Sequence, residues 1–429
     1  MKTLYYNSER DVYILPSQKN GLCIFYSPLR DSSFVFSSDL IEDVSNYYSY
    51  NIKPNNSILN AYLSDIDNKR YDITPVFKEI DTEDRAVIIL TQKCNLSCSY
   101  CFAQSSRSTS VLSNEKIEAV VDYIFQFNNN KPKVFSFIGG GEPLICWHSI
   151  QHAYDYIKKK SLCTNIPFRF GIITNATLLD ENKIRWIAQR SIHISVSFDI
   201  LPDIQDKQRP FSFKKDSSFE KVDNSIKLLL SYGASFKIRA TITSQNVKRM
   251  SEMVLFVAER YNDIKYLHLE PVTDSKEDYN NFYALYLDNF VEAYVIGMKY
   301  GITVINSISN SFYHIKSHFC LGELCVTPSG EIVSCHRHSS PKDINYNSCV
   351  YGSVSEGAVN INNSLLNSVI LKRRNSHVNC QDCFAKWHCA GGCSSQNMVF
   401  SIEQHNLYCN YVRKFIRRFI ELKLSEDND

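Results

Sequence analysis

From residue 86 onward the hydrophobic pattern alternates between two kinds of segment. Short apolar runs, read as strands, occupy 86–92, 134–138, 168–173, 193–198, 236–243 and 266–270. Between and after them, apolar residues recur at helical spacing over 114–128, 147–160, 180–190, 218–231, 247–260 and 280–299. Six strand-then-helix units in series predict a parallel sheet with right-handed crossovers, either a partial (β/α)6 barrel or an open doubly wound sheet. In both, chemistry gathers at the carboxyl ends of the strands. Ahead of this core, TLYYN, DVYILP, GLCIFYSP and SFVFSS are β-prone and SDLIEDVSNYYS is helical, so residues 1–80 predict a small α+β unit. The polar stretch KEIDTEDR leads from it into the core. After residue 310 the periodicity fades until the tail, NYVRKFIRRFIELKL, where Val412, Phe415, Phe419 and Leu422 form one apolar stripe. The predicted domains are therefore 1–80, 81–310 and 311–429.

A chain of 429 residues with 44% hydrophobic and 21% charged content has the composition of an ordinary globular protein. The net charge of +2 gives no sign of a nucleic-acid or membrane-surface partner. No apolar run approaches the ~20 residues of a membrane helix, and MKTLYYNSERDVYI lacks the apolar core of an export signal, so a cytoplasmic location is expected. In that setting fifteen cysteines argue for metal ligation rather than a disulfide scaffold.

The carboxyl ends of the predicted strands carry the unusual residues. LTQKCNLSCSYCF places Cys94, Cys98 and Cys101 after the first strand; IGGGEPL, TNATL and SFD follow the second, third and fourth. Structural zinc takes four ligands and a disulfide two, so three thiols in one loop either borrow a distant ligand or leave a position open. In a 4Fe–4S cubane each iron needs one external ligand, and three thiolates leave one iron free for a small molecule. GGGEP read alone is a turn, its glycines supplying positive φ and Pro143 restricting Glu142.

The three-cysteine loop, with GGGEP after the next strand, resembles the radical S-adenosylmethionine (SAM) enzymes. The resemblance implies that Cys94, Cys98 and Cys101 hold a SAM-binding cluster. It further implies that Tyr100 contacts adenine, and that Gly140, Gly141 and Glu142 bind the methionine amino group. Asn175 and Ser197 match positions that line the cofactor pocket in relatives. Arg209 and Arg239 are candidates for the methionine carboxylate, each with a surface ion pair as its alternative.

Eight further cysteines are ordered Cys320, Cys325, Cys335, Cys380, Cys383, Cys389, Cys393 and Cys409, with Gly330 between the second and third. Cys380-x-x-Cys383 alone would suit zinc, and a pair of zinc ribbons is the alternative. The whole order is similar to the SPASM extension of radical SAM enzymes. By that resemblance Cys320, Cys325, Cys335 and Cys393 hold one auxiliary 4Fe–4S cluster, and Cys380, Cys383, Cys389 and Cys409 a second. Cys23, Cys146, Cys163 and Cys349 are left as buried apolar residues.

The resemblance, over roughly residues 86–425, implies reductive cleavage of SAM to a 5′-deoxyadenosyl radical that takes hydrogen from a peptide or protein. A one-electron donor such as a flavodoxin or ferredoxin is then required. The expected reaction is an oxidative crosslink, thioether or carbon–carbon, in a ribosomally made precursor peptide. Residues 1–80 would hold its leader by strand addition or simply cap the barrel, and the tail's basic face is either solvated or in contact with that leader. The alternative is a sulfatase maturase forming formylglycine, a group that carries a catalytic Asp where this chain has His336, beside Cys335. An imidazole can also take a proton near neutral pH, so His336 is the candidate general base. A non-catalytic iron–sulfur or zinc-binding protein is the remaining class.

Overall fold

The computed structural model describes residues 3–69, 82–129, 131–213, 215–273, 279–316, 319–320, 322–374 and 380–426; part of the predicted KEIDTEDR connection, 78–81, lies outside them. The chain divides into two compact units, both discontinuous in sequence. One comprises Lys78–Asn306 and Leu321–Arg374; the other joins Met1–Phe77 to Ser307–Cys320 and Asn375–Asp429.

In the second of these units, β1 (Tyr5–Asn7), β2 (Val12–Pro16), β3 (Leu22–Ser27) and β4 (Ser32–Ser37) form an antiparallel meander. The alternation along β2 divides its side chains between two faces. Val12 and Ile14 pack with Phe25, Val44, Leu59 and Leu63 beneath the helices Ile41–Tyr50 and Ser57–Asn68. Tyr13 faces the other way, its ring 6.4 Å from Phe384 in an edge-on contact. The helix Ile402–Glu426 buries Val412, Phe415 and Phe419, three positions of the predicted stripe, and Phe419 meets Phe312 at 5.8 Å. The second N-terminal helix was not evident in the sequence pattern.

The other unit holds a single eleven-stranded sheet. Its core strands are β5 (Arg85–Ile88), β6 (Lys133–Phe137), β7 (Phe168–Thr174), β8 (His193–Ser197), β9 (Phe236–Ile242) and β10 (Tyr266–Pro271). They are all parallel and lie side by side in chain order, with β11 (Thr303–Ile305) beyond β10. A doubly wound sheet reverses direction at a switch point. Here every crossover steps the same way, which is the winding of a partial barrel, and the sheet stays open. Burial alternates along β7 and β9: Phe170, Ile172 and Thr174, like Ile238, Ala240 and Ile242, are buried, while Gly171, Ile173, Arg239 and Thr241 on the opposite face are half-buried. Side-chain caps from Ser113, Asp180 and Ser217 start three of the crossover helices and fix where each loop ends.

Beyond β5 the sheet continues with β12 (Leu324–Val326), parallel to it, and then β13 (Glu331–Val333), β14 (Val350–Ser355) and β15 (Ala358–Ile361) as an antiparallel meander. Part of the cysteine-rich region predicted as a separate domain is thus an extension of the core sheet, beside the strand that carries the first cysteine loop.

Candidate active site

The loop after β5 is held by main-chain bonds on several sides. Thr91 bridges Val111, and Leu96 bridges Phe211. Ser97 N donates to Pro210 O at 2.8 Å, Ser99 N to Gln208 O at 2.9 Å, and Ser212 N to Asn95 O at 3.0 Å. Arg107 donates to the carbonyls of Cys94 (3.1 Å) and Leu96 (2.9 Å). Cys98 is buried, and Cys94 and Cys101 are partly so. Burial pushes the Cys94 thiol up and that of Cys98 to about 12, so a metal must displace their protons to bind.

The glycine loop after β6 docks backbone to backbone on this loop. Gly139 and Gly140 have φ of +80° and +60°. A Cβ on Gly141 would lie 1.8 Å from Lys93 O, so no other residue fits there. Gly141 N donates to Thr91 O (2.9 Å) and Glu142 N to Lys93 O (2.8 Å). Glu142, 2% exposed, accepts from Leu144 N (3.0 Å) and Thr174 Oγ1 (2.6 Å) on Oε1, and from Asn175 N (2.8 Å) on Oε2. Burial pushes its carboxyl up to about 7, against those three hydrogen bonds. The side chain expected to meet a ligand ammonium is here a tie between the ends of β6 and β7.

Asn175 completes that corner. Its Nδ2 donates to Asn95 Oδ1 (2.9 Å) and lies 3.9 Å from Cys94 Sγ; Asn95 in turn donates to Thr177 Oγ1 (2.7 Å). At the end of β8, Ser197 pairs in register with Arg239 of β9. Arg239 accepts from Phe198 N at 3.0 Å through its carbonyl, and its half-buried guanidinium has no hydrogen-bond or ion-pair partner among the described residues. Arg209 is committed instead: its Nε lies 3.1 Å from Asp199 Oδ2, though not aligned for a hydrogen bond, and its guanidinium is 5.2 Å from the Tyr100 ring centroid. Tyr100 donates to the same Asp199 oxygen at 2.6 Å. Asp199, fully buried, also accepts from Gln208 Nε2 (2.8 Å) and Thr241 N (3.0 Å), joining the cysteine loop to β8 and β9.

Pairing of β12 with β5 brings Cys325, Cys335 and His336 into the same unit as this corner, and a Cβ on Gly139 would lie 3.2 Å from His336 Cβ. His336 Nδ1 is 2.9 Å from Glu323 Oε2, which also accepts from His336 N (3.1 Å). Burial works to raise the Glu323 carboxyl, but the His336 charge and hydrogen bonds outweigh it and hold it at about 2. An ionised carboxylate only accepts, so Nδ1 carries a proton in this contact in either charge state of the ring, and the neutral ring leaves Nε2 able to take one. Glu323, Cys335 and His336 place one ligand atom each within 4.8 Å of the others. Cys320 and Cys393, their expected co-ligands, belong to the other unit.

In that other unit burial, and after it the charges of neighbouring cysteines of the Cys380, Cys383, Cys389 and Cys409 set, push up the thiols of Cys380, Cys389 and Cys409. Zinc–sulfur bonds of about 2.3 Å put tetrahedral thiolates about 3.8 Å apart. Among the described residues no three of these sulfurs lie within 4.8 Å of one another, nor do those of Cys94, Cys98 and Cys101. Four thiols in one unit match the donor number of a fully ligated four-iron core, and three thiols leave one iron open. Of the four cysteines expected to be buried, Cys23 and Cys349 are, Cys146 is half-buried and Cys163 is exposed. Cys163 lies in the last turn of the helix Trp147–Thr164, where that helix has no buried neighbour to offer it.

Sequence reasoning overlooked Asp199, Arg107 and Glu323. SFD at a strand end was a signal for Asp199; nothing local marks the other two, whose partners are 11 to 13 residues away.

The Radical SAM superfamily model matches residues 88–257. The chain is 28% identical over 178 residues to an uncharacterized protein of Methanocaldococcus jannaschii, covering 42% of this chain and 59% of that one. With a cysteine-type anaerobic sulfatase-maturating enzyme of Clostridium novyi it shares 21% identity over 361 residues, 77% of this chain and 93% of the relative. With the radical SAM cyclopropyl synthase TigE of Paramaledivibacter caminithermalis it shares 22% over 446 aligned positions, 91% and 88% of the two chains. Native anSMEcpe with bound AdoMet superposes with a TM-score of 0.66 at 18% identity, over 80% of this chain and 99% of that one. Streptococcus suis SuiB bound to precursor peptide SuiA gives 0.50 at 15%, over 90% and 94%. At these identities the structural likeness establishes the fold, an α/β architecture with a mostly parallel sheet.

Proposed function

We propose, on the premise that this chain is a radical SAM enzyme, that it modifies a ribosomally made precursor peptide by an oxidative crosslink. The observation that carries the reading is the backbone docking of the Gly139–Glu142 loop on the three-cysteine loop at the strand ends. Cys94, Cys98 and Cys101 would hold a 4Fe–4S cluster with one iron open to SAM, which supplies, when reduced, a 5′-deoxyadenosyl radical able to take hydrogen from an unactivated carbon. Around it, the loop backbone at Gly140 and Gly141, the Glu142 corner, Asn175 and Ser197 shape the cofactor pocket. Tyr100 offers an aromatic face. The Arg239 guanidinium, half-buried and without a partner among the described residues, is better placed than the engaged Arg209 to meet a carboxylate. His336 would take a proton at Nε2, oriented by Glu323.

Two auxiliary clusters, one of them on Cys380, Cys383, Cys389 and Cys409, would accept the electron that an oxidised product must lose, and a flavodoxin or ferredoxin would supply the reducing one. A peptide substrate is supported by the match to SuiB bound to precursor peptide SuiA, which spans about nine-tenths of this chain. The second reading, formylglycine formation, is favoured by the larger TM-score with anSMEcpe and by the sulfatase-maturase relative; His336 stands against it. Mass spectrometry of a leader-bearing precursor encoded beside the gene, and of a cysteine peptide from a sulfatase, decides. Crosslinking removes two hydrogens, about 2 Da, whereas cysteine-to-formylglycine conversion loses about 18 Da. The second outcome would replace the first reading.

A further inference from the structure

The segment that carries Cys380, Cys383 and Cys389 is fastened by side chains from the opposite end of the sequence. Asp11, 4% exposed, lies in the turn between β1 and β2 with φ at +51°, a conformation few L-residues adopt. Its Oδ1 is 2.9 Å from Lys386 Nζ and its Oδ2 accepts from Trp387 Nε1 at 2.7 Å. Lys386 and Trp387 stand between Cys383 and Cys389. The Lys386 ammonium also donates to Tyr6 Oη (3.1 Å) and lies 5.4 Å from the Tyr6 ring and 6.0 Å from that of Tyr13. Tyr6 Oη donates in turn to Gln381 O (3.0 Å), between Cys380 and Cys383. A buried carboxylate in a strained turn persists only if its partners repay the cost. All of the partners beyond the hairpin are on the cysteine segment.

We propose that Asp11, with Tyr6 and Lys386, is the positioning element that sets the spacing of Cys380, Cys383 and Cys389, so the N-terminal sheet is part of the second cluster's binding site. This rests on the reading that those cysteines and Cys409 hold a 4Fe–4S cluster, and it goes beyond it by naming residues that ligate nothing. The N-terminal residues are then no detachable peptide-binding module, whatever else they bind.

The test compares iron content and the EPR spectrum of the reduced full-length protein after anaerobic reconstitution, with SAM binding as the control for the other unit. Wild type is expected to hold about twelve irons, and Cys380→Ala with Cys383→Ala to lose about four of them together with one EPR component. Asp11→Ala is expected to lose the same irons and the same component, with SAM affinity unchanged within about twofold. Lys386→Gln, which leaves the hairpin intact, is expected to do likewise if Asp11→Ala does not fold. The double variant Asp11→Asn with Lys386→Met is expected to lose no more iron than the worse of its two single variants, the non-additivity by which a double-mutant cycle shows coupling. Full iron and an unchanged spectrum in Asp11→Ala and Lys386→Gln overturn the inference alone. Full iron in the Cys380 and Cys383 variant overturns the cluster reading and this inference with it.

Discussion

The two cysteine sets are built by different means. The three-cysteine loop is held by main-chain bonds to the 208–212 segment, by Arg107 and by a glycine loop packed onto its backbone. Its geometry follows from where neighbouring parallel strands end. The Cys380–Cys409 set also takes main-chain bonds, from Lys316 N to Trp387 O (3.0 Å) and from Phe319 N to Ala390 O (2.9 Å), but its ties to the N-terminal sheet are made by side chains 376 and 380 positions away in sequence. A backbone-built site tolerates side-chain changes and fails when a glycine gains a Cβ. A side-chain-built site does the reverse.

The largest effect on SAM binding and iron content is therefore expected from Gly141→Ala. Its methyl group meets Lys93 O, a backbone atom that cannot step aside, and overpacking of this kind costs about 1–3 kcal/mol or more. SAM binding and about four irons should be lost while the EPR component of the Cys380 set remains. A Gly141→Ala protein that binds SAM normally would break the contrast at its stronger end.

Glu142→Ala comes next. It strips acceptors from Thr174 Oγ1 and the main-chain N–H groups of Leu144 and Asn175, at about 1–3 kcal/mol for each buried donor left unpaired. Thermal unfolding of the metal-free protein should shift down, and the shift measures how far this one side chain supplements the backbone. The same residue gives a pH signature. Its carboxyl sits at about 7 in the fold against 4.5 ordinarily, because of burial. Below about pH 4.5 both folded and unfolded chains are protonated and nothing is lost. As the pH rises to about 7 the unfolded chain ionises first, so stability falls by up to ~3 kcal/mol and then levels. Glu142→Gln should flatten that part of the pH profile; an unchanged profile would mean the carboxyl titrates normally.

The smallest effect belongs to Cys163→Ser, which should leave iron content and stability unaltered, since that thiol is exposed and apart from both sets.

These differences also account for what the sequence could and could not disclose. All six core strands and their helices were legible because hydrophobic periodicity is local, and β5 to β10 deviate from their expected bounds only at the ends. The cysteine loop and Gly139–Glu142 were legible because a backbone-built site needs particular residues at close spacing. Residues 1–80 were read as an independent unit because nothing local reveals a contact between Asp11 and Lys386. The role of Glu142 as an interstrand tie was hidden for a similar reason, since it depends on Thr174 and Asn175 arriving from the next strand. β12 beside β5 was hidden too, a three-residue strand having too few positions to show a period.

The most direct measurement of the central claim is the yield of 5′-deoxyadenosine from SAM under anaerobic, reducing conditions, in wild type and in two sets of variants. Turnover is expected in wild type, some retained turnover in Cys380→Ala with Cys383→Ala, and none when Cys94, Cys98 and Cys101 are all replaced by alanine. Continued 5′-deoxyadenosine formation by the triple variant would contradict the claim.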